Sequence, residues 1–443
     1  MDNRYFNSEA ETLSADAIIN LQEEKLEKQI SYLWEKSKFY REKLKNAGAE
    51  PGDINTLKDL SRLPFTEKQE LRDSQVQAPP LGTHAAVPMK DVIRIYASSG
   101  TTGTPSYVGV TRMDDEVWTE AVARAYWAQG LRPGSIFAMG FGIGFFVGGI
   151  PVCNGVHKIG STFLPIGVGA SDRLIESIAS NRADTLACTP SYASYLAEYA
   201  SAKMNIDPRD LGIKKLMVGA EPGGGIPEFR SHLEEAWGAH VTECVGNADV
   251  VPIHSAECEY QDGNHFLLPD HLILEIIDPN TGAVIPVDGD NVEGEMVFTH
   301  LGRQCGAHLR FRTRDHVVIK TSPCPCGRTG IRLKVIGRTD DLMIMRGVNI
   351  WPSAVKDLVM SFRPRTTGVM RIVLDAPGPQ VSSPLKIEIE ASAGLKDSQS
   401  LKREIEKLLR NKLIFTSDVS IVPANSLPRT EMKTKLIHKT YDV

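Results

Sequence analysis

The chain has no surplus of basic charge. Its 50 lysines and arginines are outnumbered by 55 aspartates and glutamates, for a net charge of −5, and that balance leaves no electrostatic footprint for nucleic acid. It also lacks any apolar run of the length needed to cross a bilayer. The opening MDNRYFNSEAETL is polar and acidic, so no secretory leader is expected. Cysteines are few, odd in number (seven) and widely scattered. They cannot form a closed disulfide framework, and the expected compartment is a reducing one, the cytoplasm.

What is present is the composition of a globular protein, 42% hydrophobic and 24% charged over 443 residues, long enough for about two or three domains. Leu21, Leu26, Ile30 and Leu33 recur at helical steps, which predicts a helix from about Ser14 to Gly48. Short apolar runs then alternate with amphipathic segments. Val92–Tyr96, Ile136–Phe141, Ser161–Leu164, Thr185–Thr189, Leu216–Gly219 and His240–Val245 read as strands, with helices over Ser171–Ser180, Ser191–Met204 and Pro227–Trp237. Such alternation predicts an α/β fold, a parallel sheet covered by helices. From about Leu267 the pattern turns strand-rich. After GRTDD a compact α+β unit is expected, with DAPGPQVSSP as a hairpin loop. The domains are therefore placed at 1–339 (large, N-terminal) and 340–443 (a small, mobile C-terminal lid).

One stretch, YASSGTTGTPSYVG at Tyr96–Gly109, follows a strand with glycines and hydroxyls. Glycine lets backbone approach a ligand, and N–H groups and hydroxyls donate to phosphate oxygens. An ordinary surface loop has the same residues, and no Gly-Lys-Ser/Thr follows, so it is no Walker loop. Its place at the end of a strand favours a ligand, because ligands of parallel sheets sit at strand carboxyl ends.

The context decides between them. ASSGTTGTP is followed in order by GAEP at Gly219–Pro222, FRTRD at Phe311–Asp315, GRTDDLMIMRGVNIWP at Gly337–Pro352 and LPRTEMKTK at Leu427–Lys435; KFYREKL, LPFTEKQELRD and CTPSYA add to the set. Together they resemble the adenylate-forming superfamily, closest to the phenylacetate–coenzyme A ligase family, over essentially the whole chain. The resemblance implies an ATP-dependent ligase that adenylates an aryl or arylacetic acid with release of pyrophosphate, then passes the acyl group to coenzyme A with release of AMP. It leaves open an acceptor that is a carrier-protein thiol or an amine, and a homodimer.

By that resemblance Ser98, Ser99, Gly100, Thr101, Thr102 and Gly103 hold the β- and γ-phosphates of ATP, with Thr102 counted in the catalytic set. Gly219, Ala220, Glu221 and Pro222 line the adenine. Asp315 accepts the ribose hydroxyls, Arg338 contacts ribose or phosphate, and Asp340 is the hinge of the lid. Lys433 stabilises charge in adenylation, with Lys435 the alternative. Two departures stand out. Gly223-Gly224-Gly225 replaces the tryptophan that often follows GAEP, and Val245-Gly246-Asn247-Ala248-Asp249 replaces an aromatic-Gly-x-Ser/Thr-Glu motif. Asp249 then stands where a glutamate binds magnesium, one methylene shorter. Ser106, after the loop proline, leaves the loop without a cation of its own.

Cys258, His265, Cys324 and Cys326 make a Cys₃His set suited to tetrahedral zinc, with free buried cysteines the competing reading. Members of the family carry Cys and His at similar places, which implies a closed structural site. Cys153, Cys188, Cys244 and His254 are assigned to packing. Phe141, Phe145, Phe146 and Gly148, in FGIGFFVGGI, are the candidate acyl slot; an ordinary buried turn is the competing reading.

Overall fold

The structure, a computed structural model, describes residues 4–98, 106–346, 348–429 and 434–441. Its centre is an eleven-stranded mixed sheet. Thr162–Leu164, Ile136–Met139, Thr185–Cys188, Lys215–Gly219 and His240–Asn247 lie side by side and parallel. The connecting helices Ser171–Asn181, Pro190–Met204 and Pro227–Trp237 bury leucine, isoleucine, alanine and aromatic side chains against this half. The helix Pro190–Met204 starts sharply, because Pro190 fits its first turn and the Thr189 hydroxyl accepts the Tyr192 N–H.

Beyond His240–Asn247 the sheet turns antiparallel, through Val251–Ala256, Asn264–Phe266, Arg332–Arg338, Phe311–Lys320, Val292–His300 and Leu272–Ile277. The strand-rich stretch after Leu267 is thus one continuous extension of the parallel sheet. The C-terminal unit has its own core, with Val355, Val359, Ile372, Ile387, Ile405 and Leu409 at its centre. Its four strands run Ser417–Val422, Leu385–Ala391, Thr366–Leu374, Ile437–Lys439. The central pair is antiparallel, so DAPGPQVSSP does connect hairpin strands.

Three local expectations change. The single helix from Ser14 to Gly48 is two, Ala15–Lys36 and Lys38–Asn46. Ser37 sits between them in extended conformation, and its hydroxyl caps the second by accepting from Tyr40 N. The strand before the hydroxyl-rich loop is not part of the parallel sheet. Among the described strands Val92–Ala97 pairs with Tyr107–Thr111 alone, in an antiparallel ribbon, and the hydroxyl-rich stretch joins the two in sequence. Cys188, Cys244 and His254 are buried as expected, but Cys153 is partly exposed, its Sγ 3.8 Å from His157 Nδ1.

Besides His265, four histidines are buried in the large domain: His84, His254, His300 and His308. The rings of His300 and His308 lie 5.4 Å apart, and His308 stacks on Phe311 at 5.0 Å. Burial holds His84 down to about 4 and His254 and His300 down to about 3, and pushes His308 well below its ordinary value. Between pH 6.5 and these values the unfolded chain binds protons that the folded chain refuses, so their contribution to stability is whole above pH 6.5 and falls as pH drops. At pH 5 each such histidine costs about 2 kcal/mol. Urea midpoints should therefore decline steeply from pH 7 to pH 5, and His84→Gln should flatten that decline; a pH-independent midpoint over this range would contradict the assignment.

Candidate active site

The hydroxyl-rich stretch Ser99–Gly103 and Lys433 lie outside the described residues. What surrounds them is described. At the base of the hairpin Ser98 and Ser106 are both buried, their hydroxyls 2.7 Å apart, and Ser98 N donates to Ser106 O. Ser106 Oγ donates to Asp249 Oδ1 at 3.3 Å, and Lys68 Nζ donates to Asp249 Oδ2 at 2.7 Å. Asp249 is 2% exposed. So the position expected to hold magnesium is a carboxylate with both oxygens already engaged, one by an ammonium. Lys68 comes from the LPFTEKQELRD segment and places a cation near the base of the hairpin, paired with Asp249. The segment is conspicuous in the sequence, but nothing in a linear reading ties it to a position 181 residues later.

Asp315 and Arg338 face each other across two paired strands. Arg338 Nη1 donates to Asp315 Oδ1 at 3.2 Å and to the Thr313 carbonyl at 3.3 Å. The same guanidinium grips Asp340 with two bonds, Nε–Oδ1 at 2.9 Å and Nη2–Oδ2 at 3.0 Å. The three residues expected to bind ribose and form the hinge are thus one ion-pair cluster. Its neighbouring carboxylates push Arg338 above its ordinary value against the opposing effect of burial.

Gly219 ends its strand, and Ala220 takes a positive φ of 71°. The glycines that replace tryptophan have a packing cause. A Cβ on Gly223 would come within 2.4 Å of Pro190, one on Gly224 within 2.5 Å of Val218, and one on Gly225 within 2.7 Å of the Glu243 carboxylate. Glu243 lies buried beneath them and accepts the Gly225 N–H at 2.9 Å.

The Glu221 side chain turns toward the C-terminal unit. Its Oε1 accepts Ser191 N at 2.8 Å and its Oε2 accepts Thr434 N at 2.5 Å, while the Ser191 and Thr434 hydroxyls lie 3.0 Å apart. The same seam buries Lys356, whose ammonium sits 4.4 Å from the centre of the Phe229 ring. Burial lowers its pKa, and the nearby Glu221 charge works in the opposite direction. Ser353 Oγ donates to the Ile336 carbonyl, and Trp351 stacks near His316 at 5.1 Å.

In the candidate acyl slot Phe141 is partly buried and packs against the core cluster that contains Val152 and Val156. Phe145 is exposed, with a φ of 54° and its ring 6.0 Å from Tyr107. Phe146 and Gly148 are partly buried.

Cys258, His265, Cys324 and Cys326 are all buried, and their ligand atoms lie within 4.8 Å of one another. Cys258 Sγ and Cys324 Sγ are 3.7 Å apart, and Cys326 Sγ is 3.3 Å from His265 Nε2. Zn–S bonds of about 2.3 Å and Zn–N bonds of about 2.0 Å in a tetrahedron require edges of roughly 3.5–3.8 Å, so the donor set fits that ion. The N-terminal segment crosses over this cluster. Tyr5 OH donates to the Cys326 carbonyl, and Arg328 donates to Glu11 and to the Arg4 carbonyl.

With this geometry in place, the comparisons are unambiguous. The AMP-binding enzyme family matches residues 17–302, and the AMP-binding enzyme C-terminal domain matches residues 347–440. The chain belongs to the AMP-binding enzyme family. It is 34% identical to a phenylacetate-coenzyme A ligase of Thermus thermophilus, over 96% of this chain and 97% of the relative. Among solved structures, a 2-hydroxyisobutyryl-CoA ligase in the postadenylation state superposes with a TM-score of 0.92 at 28% identity, covering 100% of this chain and 93% of that one. The same ligase in the thioesterification state, with 2-HIB-AMP and CoA, gives 0.73 at 30% identity, over 98% and 92% of the two chains.

The Lys68–Asp249 pair is the testable part of this geometry. Lys68→Met strips a charged hydrogen bond from a buried carboxylate and should lower unfolding stability by about 2 kcal/mol. Adding Asp249→Asn should restore part of the loss. A double-mutant cycle by urea unfolding reads the coupling, and additive losses would show that the pair does not act as a unit.

Proposed function

We propose that the chain is an ATP-dependent carboxylic acid–coenzyme A ligase acting on an aryl or arylacetic acid through an acyl-adenylate. The near full-length identity with a phenylacetate-coenzyme A ligase carries this reading. A substrate carboxylate oxygen attacks the α-phosphorus of ATP, the bond to pyrophosphate breaks, and acyl-AMP forms. The deprotonated thiol of coenzyme A then attacks the acyl carbon and AMP leaves with its phosphate oxygen.

The residues take these parts. Ser98 to Gly103, Thr102 among them, cradle the polyphosphate on the stretch joining the two paired strands. Lys68 brings positive charge to the base of that hairpin. Asp315 takes the ribose hydroxyls, and Arg338 lies close enough to share them or the phosphate. Gly219, Ala220 and Pro222 form a wall of the adenine pocket, with the Glu221 side chain turned away from it toward Ser191 and Thr434. Phe141, Phe145, Phe146 and Gly148 bound the acid. Lys433 neutralises charge developing between carboxylate and α-phosphate, an electrostatic role that needs it fixed in place. Asp249, with both oxygens engaged, does not fit a magnesium ligand as it stands. Magnesium is assigned to the ATP phosphates it arrives with, and Asp249 to holding Lys68. Two unequal scores against one ligase, 0.92 in the postadenylation state and 0.73 in the thioesterification state, support reading the lid as standing in the pose it has before thioester formation. Asp340, at the start of the 340–443 unit, is the hinge about which it leaves.

Cys258, His265, Cys324 and Cys326 would hold one structural zinc, all four positions being protein ligands. It would fasten the Cys324–Cys326 turn to the strand carrying His265, and with that turn the N-terminal segment laid over it. Purified protein should contain about one zinc per chain, as a single four-ligand site requires, and chelation should lower its melting temperature; metal-free protein of undiminished stability would remove the site.

The activity test separates the two half-reactions. Pyrophosphate should appear only with a suitable acid, and thioester only when coenzyme A is added. Lys433→Ala should cripple adenylate formation and spare transfer from a supplied acyl-adenylate. Asp340→Pro, which fixes φ at the hinge, should do the reverse. If Lys433→Ala slows both steps equally, or Lys435→Ala alone abolishes adenylation, the lysine is wrongly assigned.

A further inference from the structure

The GAEP glutamate does something that an adenine wall does not require. Glu221 is 7% exposed, and its two carboxylate oxygens point to different parts of the chain. Oε1 accepts Ser191 N, at the start of the helix Pro190–Met204, where unpaired N–H groups favour a negative charge. Oε2 accepts Thr434 N of the C-terminal unit, at 2.5 Å. A second bridge runs parallel, Thr434 Oγ1 to Ser191 Oγ at 3.0 Å. The Thr434 N–H belongs to the peptide bond that joins it to Lys433. Fixing that N–H therefore limits where the residue before it can stand.

Two independent features place the seam under the same control. Lys356 is a buried cation on the helix Pro352–Met360 of the lid, packed on Phe229 of the large domain and within the field of Glu221. Met360, the last residue of that helix, is 4% exposed within the core of the large domain's parallel half. A buried ammonium is costly unless a negative charge compensates it. Glu221 supplies that charge only while the lid is docked here. Rotation of the lid would separate Thr434 and Lys356 from Glu221 together.

We propose that Glu221 is a positioning residue for the first half-reaction: its carboxylate latches the segment following Lys433 onto the helix start at Ser191, and the latch opens for the second half-reaction. The proposal rests on the assignment of Lys433 to adenylation, which the test treats separately. A carboxylate is needed because both partners are donors. An amide offers one acceptor and turns its NH₂ group on the other N–H.

The test uses full-length protein carrying Glu221→Ala or Glu221→Gln, with Lys433→Ala alongside. Three quantities are read: adenylation by ATP–pyrophosphate exchange, transfer from a supplied acyl-adenylate to coenzyme A, and amide exchange of the peptide containing Thr434. Glu221→Ala should slow adenylation at least tenfold, leave transfer within about twofold, and speed exchange of that peptide at least tenfold. Glu221→Gln, which keeps the shape, should fall between Ala and the native residue. ATP affinity should change by less than about threefold. An equal slowing of both half-reactions in the Gln variant, or a loss of ATP affinity that accounts for the slower adenylation, would overturn the latch. If Lys433→Ala leaves adenylation intact the lysine assignment falls, and the exchange of the Thr434 peptide alone then decides for or against the latch.

Discussion

One guanidinium holds this protein at its most consequential point. Arg338 is the last residue of a strand in the central sheet, and it binds Asp315 on the neighbouring strand and Asp340 just beyond. Two carboxylates brought so close would repel, and the arginine between them offsets that repulsion. It fixes the direction in which the chain leaves the sheet to build its second core, and so the placing of everything after it. Trp351 against His316, and Ser353 on the Ile336 carbonyl, add to a corner already defined by that triad.

A pattern repeats across the site. Each acidic residue proposed to meet the nucleotide, or to sit beside it, already has a cationic neighbour in the free protein: Asp315 has Arg338, Asp249 has Lys68, and Glu221 has Lys356. A cleft waiting for a polyanion would otherwise hold either bare negative charge or bare positive charge, both costly when desolvated. Pairing avoids both.

Much of this was legible in the sequence, and the reasons for the remainder are physical. The parallel strands and their helices were readable because apolar runs and amphipathic segments alternate at regular intervals; the helix Pro227–Trp237 has the bounds its pattern predicts. The break at Ser37 was not, since one capping hydroxyl interrupts a hydrophobic period that carries on past it. The antiparallel pairing on either side of the glycine-rich stretch was hidden because a strand's sequence does not say which strand it pairs with. The family resemblance flagged Asp249 and Asp315, and ligand types flagged the Cys₃His set. Lys68 went unnoticed, as did the direction of the Glu221 side chain, because both depend on partners 181 and 213 residues away. Glycines 223 to 225 looked like a loss of function-bearing bulk. The structure shows them as close packing over Glu243.

That packing ties two drifting parts of the sequence together. A Cβ at position 223 would meet Pro190 and then the Phe229 ring, 3.1 Å away, and it is the same ring that carries Lys356 of the C-terminal unit. A tryptophan cannot simply be placed at 223, for its first carbon would push on the surface where the helix Pro352–Met360 rests. Substitutions at 223, 229 and 356 are therefore not independent. A change of side-chain size at one is felt by the other two, so the glycine turn after GAEP and the seat of the C-terminal unit's first helix can be altered only together.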